Sequence, residues 1–241
     1  MRRLTALLAS AVAVAVVGPT SVPAPAAPAA PAERAEVAHL GGVRVALRPG
    51  TTQVVTVRHT AGMRARVSLW RATRDGWKRQ LSTTDGRTGH GGLVRGDRRR
   101  QGTGTTPLGT YRLLSTFGTH AADPRARLPH HRIERGDFWV QDNASPHYNR
   151  LRNQRQGGFR WWLPSSHPDS SERLSDFGRQ YEWSLVTGFN RQQVRHRGSG
   201  IFLHVNGRGA TAGCVSAPRR FVRSLVRLLD PARVPVIAIG R

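Results

Sequence analysis

The chain contains one cysteine, Cys214, and the residues around it favour a chemical role. Cys214 lies in the stretch GIFLHVNGRGATAGCVSAP, ten positions after His204. A thiolate can attack a carbonyl carbon, and an imidazole can carry protons near neutral pH. The two residue types together indicate acyl transfer, whereas a buried and unreactive thiol is the alternative.

The predicted position of Cys214 favours a nucleophile over an unreactive thiol. Cys214 follows Gly213 on a predicted tight turn, one or two residues before a predicted helix. The positive end of that helix is expected to lower the pKa of the thiol. The backbone N–H groups at this turn are candidates for holding an oxyanion.

The order of the residues narrows the choice of proton carrier. All ten histidines precede Cys214, which is opposite to the order in papain-like endopeptidases. Only His204 is predicted on a strand that leads into the cysteine loop. The other histidines lack the spacing of a zinc site, so we predict no metal and no cofactor.

The elements that position this pair are predicted to be mainly strands. Alternating apolar residues predict strands in six segments: GVRVALRPG, TQVVTVRHT, ARVSLWRA, WSLVTGFN, GIFLHV and VPVIAIG. A strand over GIFLHV places Phe202 and His204 on one face, opposite Ile201, Leu203 and Val205.

The clearest helix is predicted over SAPRRFVRSLVRLLDP. Ser216 is expected to cap it and Pro218 to occupy its first turn. Its predicted apolar stripe contains Phe221, Leu225, Leu228 and Leu229.

The middle of the chain, from about residue 118 to 180, is predicted to be rich in loops. Five aromatic residues there are expected to pack in the interior, with a substrate cleft as the alternative location: Phe138, Trp139, Tyr148, Trp161 and Trp162. The Gly/Thr-rich stretch before this region lacks the lysine of a phosphate-binding P-loop.

The N-terminus indicates export. Residues 1–30 combine a basic pair, an apolar run and small residues, as in a secretory signal peptide with its cleavage region. Residues 31–38 are predicted to be a linker and residues 39–241 a single domain. A retained membrane anchor is the alternative, but we expect no stable membrane span after cleavage of the signal.

The charge of the chain indicates anionic partners. Lys and Arg number 38 against 14 Asp and Glu, which gives a net charge of +24. Such a field favours anionic wall polymers as additional partners. The arginines are scattered and no RNA-binding or zinc-finger signature accompanies them, so we predict no nucleic-acid binding.

Three motifs in order resemble the YkuD-type L,D-transpeptidase catalytic domain. They are TTPLGTY (Thr105 to Tyr111), GSGIFLHV (Gly198 to Val205) and TAGCVS (Thr211 to Ser216). The resemblance spans roughly Gln53 to Gly240. It implies a mainly β fold with a few helices (α+β), a YkuD-like β-sandwich or barrel with a catalytic cleft.

The resemblance also implies an activity and roles for residues. A secreted, wall-associated enzyme would act on peptidoglycan stem peptides, with Cys214 as nucleophile and His204 as general acid/base. The backbone N–H groups of Gly213 and Cys214 would form the oxyanion site, and Thr211 and Ser216 would contact substrate. A thioester would form with release of D-alanine, and an acceptor amine would resolve it into a 3→3 cross-link.

The sequence departs from the family pattern near the cysteine. The interval from His204 to Cys214 is short, Ala212 replaces a common histidine, and Ser216 replaces a common Arg or Asn. An L,D-carboxypeptidase or hydrolase, in which water resolves the thioester, is therefore one alternative. A sortase and a non-catalytic basic wall-binding protein are the others.

Overall fold

The computed structural model describes residues 36–241. The predicted signal peptide at residues 1–30 and most of the predicted linker lie outside the described residues. The first strand begins at Val37, within the segment 31–38 that was predicted to be a linker. None of the helices within residues 36–241 has the length and apolar character needed to span a membrane.

Residues 36–241 form fifteen strands and one α-helix. The strands are β1 (Val37–Leu40), β2 (Val43–Ala46), β3 (Gln53–Ala61), β4 (Arg64–Thr73), β5 (Gly76–Arg87), β6 (Leu93–Arg95), β7 (Thr106–Gly118), β8 (His130–Arg132), β9 (Asp137–Trp139), β10 (Leu151–Asn153), β11 (Glu172–Arg173), β12 (Ser184–Thr187), β13 (Phe202–Val205), β14 (Val215–Ala217) and β15 (Val236–Gly240). The helix α1 covers Arg219–Leu228. Short 3-10 helices occupy Gly96–Arg98, Gln154–Gln156, Leu174–Phe177 and Pro231–Arg233. The predicted mainly β fold is confirmed.

Ten strands form one sheet that closes on itself in a barrel-like manner. The strand order is β12-β13-β14-β5-β4-β3-β15-β7-β6, β8 also pairs with β7, and β7 pairs again with β12. The junction between β14 and β5 is a single residue pair, Ser216 opposite Arg87. Most pairs are antiparallel, as expected for strands that hairpins connect, but β13 and β14 run parallel.

The main core lies on one face of this sheet. Val, Leu and Ile side chains from β3, β4, β12, β13 and β15 form it together with the apolar face of α1. Phe221 and Leu225 are buried as predicted, but the prediction for Leu228 is wrong because its side chain is 47% exposed. The hairpin of β1 and β2 covers a second apolar cluster against β3 and β15.

The prediction of how α1 begins is wrong in two details. Pro218 is the N-cap residue, not a residue of the first turn, and Ser216 lies within β14. The helix therefore begins five residues after Cys214, because a short strand separates the two. This strand pairs with β13, and the pairing places the residues of the candidate site.

Candidate active site

Cys214 and His204 lie on the same face of the sheet. Leu203 pairs with Val215 and His204 with Ser216 in the parallel ladder of β13 and β14. Side chains alternate along a strand, so Cys214 shares a face with Ser216 and with His204. The alternation predicted for β13 is confirmed, since Leu203 and Val205 enter the main core while Phe202 packs with Cys214 on the opposite face.

The thiol of Cys214 is buried at the base of a cleft. Its Sγ donates to the carbonyl oxygen of Gly200 at 3.2 Å and accepts from the backbone N–H of Phe202 at 3.4 Å. Burial raises the pKa of Cys214 to about 12, and the negative charge of Glu172 acts in the same direction. The predicted lowering of this pKa is therefore wrong, because β14 keeps the thiol away from the helix end and the thiol is buried.

His204 is held in one tautomer. Its Nδ1 lies 2.9 Å from the carbonyl oxygen of Val205, which can only accept, so Nδ1 carries the proton. Nε2 is left with a free lone pair. Burial lowers the pKa of His204 to about 4, so the ring is neutral at physiological pH. An imidazole in this state can accept a proton from a thiol.

The turn that carries Cys214 is fixed by threonine hydroxyls. Thr106, from the TTPLGTY motif, donates from Oγ1 to the carbonyl oxygen of Gly213 at 2.8 Å. Thr211 donates to the carbonyl oxygen of Cys214 at 2.6 Å. Gly213 has a φ of +128°, which disfavours residues with a side chain. The motif thus holds the backbone on which the thiol is mounted.

The structure separates the remaining predicted site residues. Thr211 lines the cleft, although its hydroxyl also accepts from the N–H of Gly213 at 3.2 Å. The N–H of Cys214 is therefore the freer of the two predicted oxyanion donors. Ser216 is fully buried and donates to Oδ1 of Asn206 at 2.7 Å. This position gives Ser216 no contact with a substrate in the cleft.

A buried arginine, Arg99, lies beside the turn. Its Nε donates to the carbonyl oxygen of Thr105 at 2.8 Å and its Nη1 to that of Arg197 at 3.2 Å. A methyl group added at Gly213 would lie 2.8 Å from Nη2 of Arg99. The positive charge acts to lower the pKa of Cys214, against the larger effect of burial.

A carboxyl group also lies near the thiol. Glu172 lines the cleft and accepts a hydrogen bond from the hydroxyl of Tyr181. Burial raises the pKa of Glu172 to about 7. The ring of Tyr181 packs edge-on against His204, with ring centres 5.4 Å apart. The Glu172–Tyr181 pair therefore connects the wall of the cleft to the imidazole.

The cleft above these groups is large and open to solvent. Its volume is about 1130 Å³, and Cys214 and His204 both contribute to its lining. Trp161 and Trp162 form part of its wall and are 39% and 63% exposed. The prediction of interior packing is thus confirmed for Phe138, Trp139 and Tyr148 but wrong for these two tryptophans. Within residues 36–241, no group of three or more His, Cys, Asp or Glu side chains could hold a metal ion.

Sequence patterns did not single out Arg99, Glu172 or Tyr181. Arg99 is one of three consecutive arginines, and only the fold distinguishes it from the exposed Arg98 and Arg100. Glu172 and Tyr181 belong to a loop-rich region without periodicity. Their approach to Cys214 depends on contacts between segments that are distant in sequence.

Comparison with known proteins provides one family match. The profile of the YkuD family, described as the L,D-transpeptidase catalytic domain, matches residues 64–237. Among solved structures, the chain is similar to Bd1075 of Bdellovibrio bacteriovorus, with 15% sequence identity and a TM-score of 0.38. The alignment covers 79% of this chain and 48% of that chain, so this chain spans about half the length of that structure. No curated protein matches the sequence.

Proposed function

Since the chain belongs to the YkuD family of L,D-transpeptidase catalytic domains, we propose that it is an exported cysteine acyltransferase that acts on peptidoglycan stem peptides. The observation that carries the proposal is the pairing of β13 and β14. This pairing directs Cys214 and His204 from the same face into one cleft.

In the first half of the reaction, Cys214 attacks the carbonyl carbon of the third residue of a donor tetrapeptide. The proton of the thiol passes to Nε2 of His204 as the S–C bond forms. The N–H of Cys214 donates to the developing oxyanion. His204 then gives the proton to the leaving nitrogen, the C–N bond breaks, and D-alanine departs from a thioester.

In the second half, an acceptor amine from another stem peptide attacks the thioester. His204 accepts a proton from this amine and returns it to the thiol of Cys214. The products are a 3→3 cross-link and the free enzyme. Attack by water in place of the amine releases a tripeptide, which defines the L,D-carboxypeptidase alternative within the same site.

Product analysis separates these outcomes. The mature protein is incubated with a disaccharide tetrapeptide, with and without a second stem peptide as acceptor, and the products are separated by mass. A linked dimer that forms only with acceptor supports a transpeptidase, whereas a tripeptide without dimer supports a hydrolase. Neither product, in a protein that binds purified walls, would replace the proposal with a basic wall-binding protein.

A further inference from the structure

Arg99 is a buried cation without an anionic partner in the described structure. Its side chain is 6% exposed, and the ion pairs formed within residues 36–241 all involve other basic residues. Two of its nitrogens donate to the carbonyl oxygens of Thr105 and Arg197, which are neutral. Removing a charge from water costs free energy unless an opposite charge compensates for it.

The remaining nitrogen of the guanidinium group, Nη2, belongs to a residue that lines the cleft. Arg99 belongs to the lining of the cleft, and its Nη2 makes no hydrogen bond within residues 36–241. Nη2 is therefore a donor that no described residue uses. Its distance of 2.8 Å from a methyl group placed on Gly213 locates it beside the residue that precedes Cys214.

The guanidinium group is also held in a fixed orientation. Its two hydrogen bonds attach it to the loop before β7 and to the loop before β13, and it lies 5.5 Å from the ring centre of Phe189. A fixed arginine loses little conformational entropy when it binds a ligand. Carboxylates are the anions that match the planar donors of arginine in a peptide substrate.

We propose that Arg99 binds a carboxylate group of the peptide substrate and places the scissile carbonyl next to Cys214. The inference rests on the proposed function for the identity of the substrate. The C-terminal carboxylate lies two bonds from the nitrogen of the scissile amide, so a donor beside Gly213 can reach it. A side-chain carboxylate on the third residue is the other source of the same chemistry.

Equilibrium binding to a Cys214→Ala variant tests this proposal without turnover. Three disaccharide tetrapeptides are compared by calorimetry: one with a free C-terminus, one with a C-terminal amide, and one in which lysine replaces a carboxylated third residue. We expect the free acid to bind about 10- to 100-fold more tightly than the amide, as for a charge-assisted hydrogen bond. If the lysine peptide loses this affinity and the amide does not, the side-chain carboxylate is the ligand.

A second substitution, at Arg99, tests whether the preference for the acid over the amide depends on this residue. In Cys214→Ala/Arg99→Gln, the acid and the amide should bind equally, whereas Cys214→Ala/Arg100→Gln should keep the preference because Arg100 is exposed and outside the cleft. If Arg99 has only a structural role, Arg99→Gln should weaken the binding of the acid and of the amide by the same factor. If Arg99→Gln does not fold, Arg99→Lys takes its place. This variant retains the positive charge and should keep part of the preference for the acid over the amide.

Two results would overturn the inference. One is that Cys214→Ala binds the acid, the amide and the lysine peptide with equal affinity. The other is that adding Arg99→Gln lowers the affinity for all three peptides by the same factor. The proposed function is checked separately with the intact thiol. A carboxylate preference without thioester formation would refute the acyltransferase and leave the carboxylate site in place.

Discussion

Burial shifts the pKa of both side chains that the proposed reaction uses. It raises the pKa of Cys214 to about 12 and lowers that of His204 to about 4. The resting pair is therefore a neutral thiol and a neutral imidazole, not a thiolate–imidazolium ion pair. In the proposed mechanism, the proton therefore leaves the thiol as the S–C bond forms, with His204 as its acceptor.

The pH dependence of acylation follows from the pKa of His204. Only the neutral ring accepts a proton, so kcat/KM for thioester formation should fall as the pH drops through about 4. The rate should therefore be nearly constant between about pH 6 and pH 5, where an exposed histidine would already be protonated. Stopped-flow measurements of thioester formation test this prediction, and circular dichroism at each pH checks that the protein remains folded. A fall of kcat/KM as the pH drops through about 6.5 would contradict it.

Glu172 makes a separate prediction about stability. Its pKa in the folded protein is about 7, above the ordinary value of 4.5, so its contribution to the free energy of unfolding is present below pH 4.5 and is lost as the pH rises through 7. Glu172→Gln keeps an acceptor for the Tyr181 hydroxyl and removes this loss. The free energy of unfolding of the variant, relative to that of the wild type, should therefore rise by about 2 kcal/mol as the pH is raised from about 4.5 to about 8. This value is reduced to allow for partial exposure of the carboxyl group.

Urea unfolding of both proteins at several pH values measures this difference. The titration of His204 occurs in both proteins and cancels when the two free energies are subtracted. A difference that does not change with pH would mean that the carboxylate of Glu172 is well solvated when folded.

At the scale of elements, the parallel contact between β13 and β14 organises the site. The connection between these strands, residues 206–214, is too short for the helix that usually links parallel neighbours. It therefore turns back through Gly213, held by the hydroxyls of Thr106 and Thr211. The thiol is positioned by this turn and by the strand pairing, and not by the helix that follows.

Gly213→Ala should disrupt this turn. The new methyl group would lie 2.8 Å from both Nη2 of Arg99 and the carbonyl oxygen of Thr105, at a φ of +128°. We expect a loss of about 2–4 kcal/mol in the free energy of unfolding and at least about a 100-fold loss in the acylation rate. Chemical unfolding and single-turnover kinetics measure the two effects.

Gly209→Ala is the matched control for this substitution. It lies in the same connection, with nothing within 4 Å of an added methyl group and without a positive φ. It should retain both stability and acylation. If the two variants behave alike, the geometry of the turn at Gly213 is not what holds Cys214 in place.

Sequence patterns predicted six of the fifteen strands, β2, β3, β4, β12, β13 and β15, because alternation reports which face of a strand is buried. They placed Phe202 and His204 on one face and thereby identified half of the candidate site. They missed β14, since a three-residue strand next to a helix carries no periodicity of its own. They also missed the contribution of Arg99, because its burial results from contacts with Thr105 and Arg197 that no local pattern specifies.

At the scale of the molecule, the charge is unbalanced. The chain carries a net charge of +24, and most of the acidic side chains described are already paired with arginines, for example Asp123 with Arg227 and Asp142 with Arg160. The surplus arginines therefore leave a positive surface. Such a surface attracts anionic polymers over a distance that becomes shorter as the ionic strength rises.

Retention on purified walls tests the proposed role of this charge. The protein should bind walls that contain anionic polymers at low salt and be released as NaCl approaches about 1 M, where the screening length is about 3 Å. Walls stripped of these polymers serve as the control. Retention that does not change with salt, or that is equal on stripped walls, would contradict an electrostatic contribution.

The most direct test of the account is the intact mass of the protein after a brief incubation with the disaccharide tetrapeptide. Wild type should gain the mass of the substrate less D-alanine, and peptide mapping should locate the thioester on Cys214. His204→Gln should form this adduct at least about 100-fold more slowly, and Cys214→Ser should form no thioester. An adduct on another residue, or D-alanine release by Cys214→Ser at the wild-type rate, would contradict the assignment of Cys214 as the nucleophile.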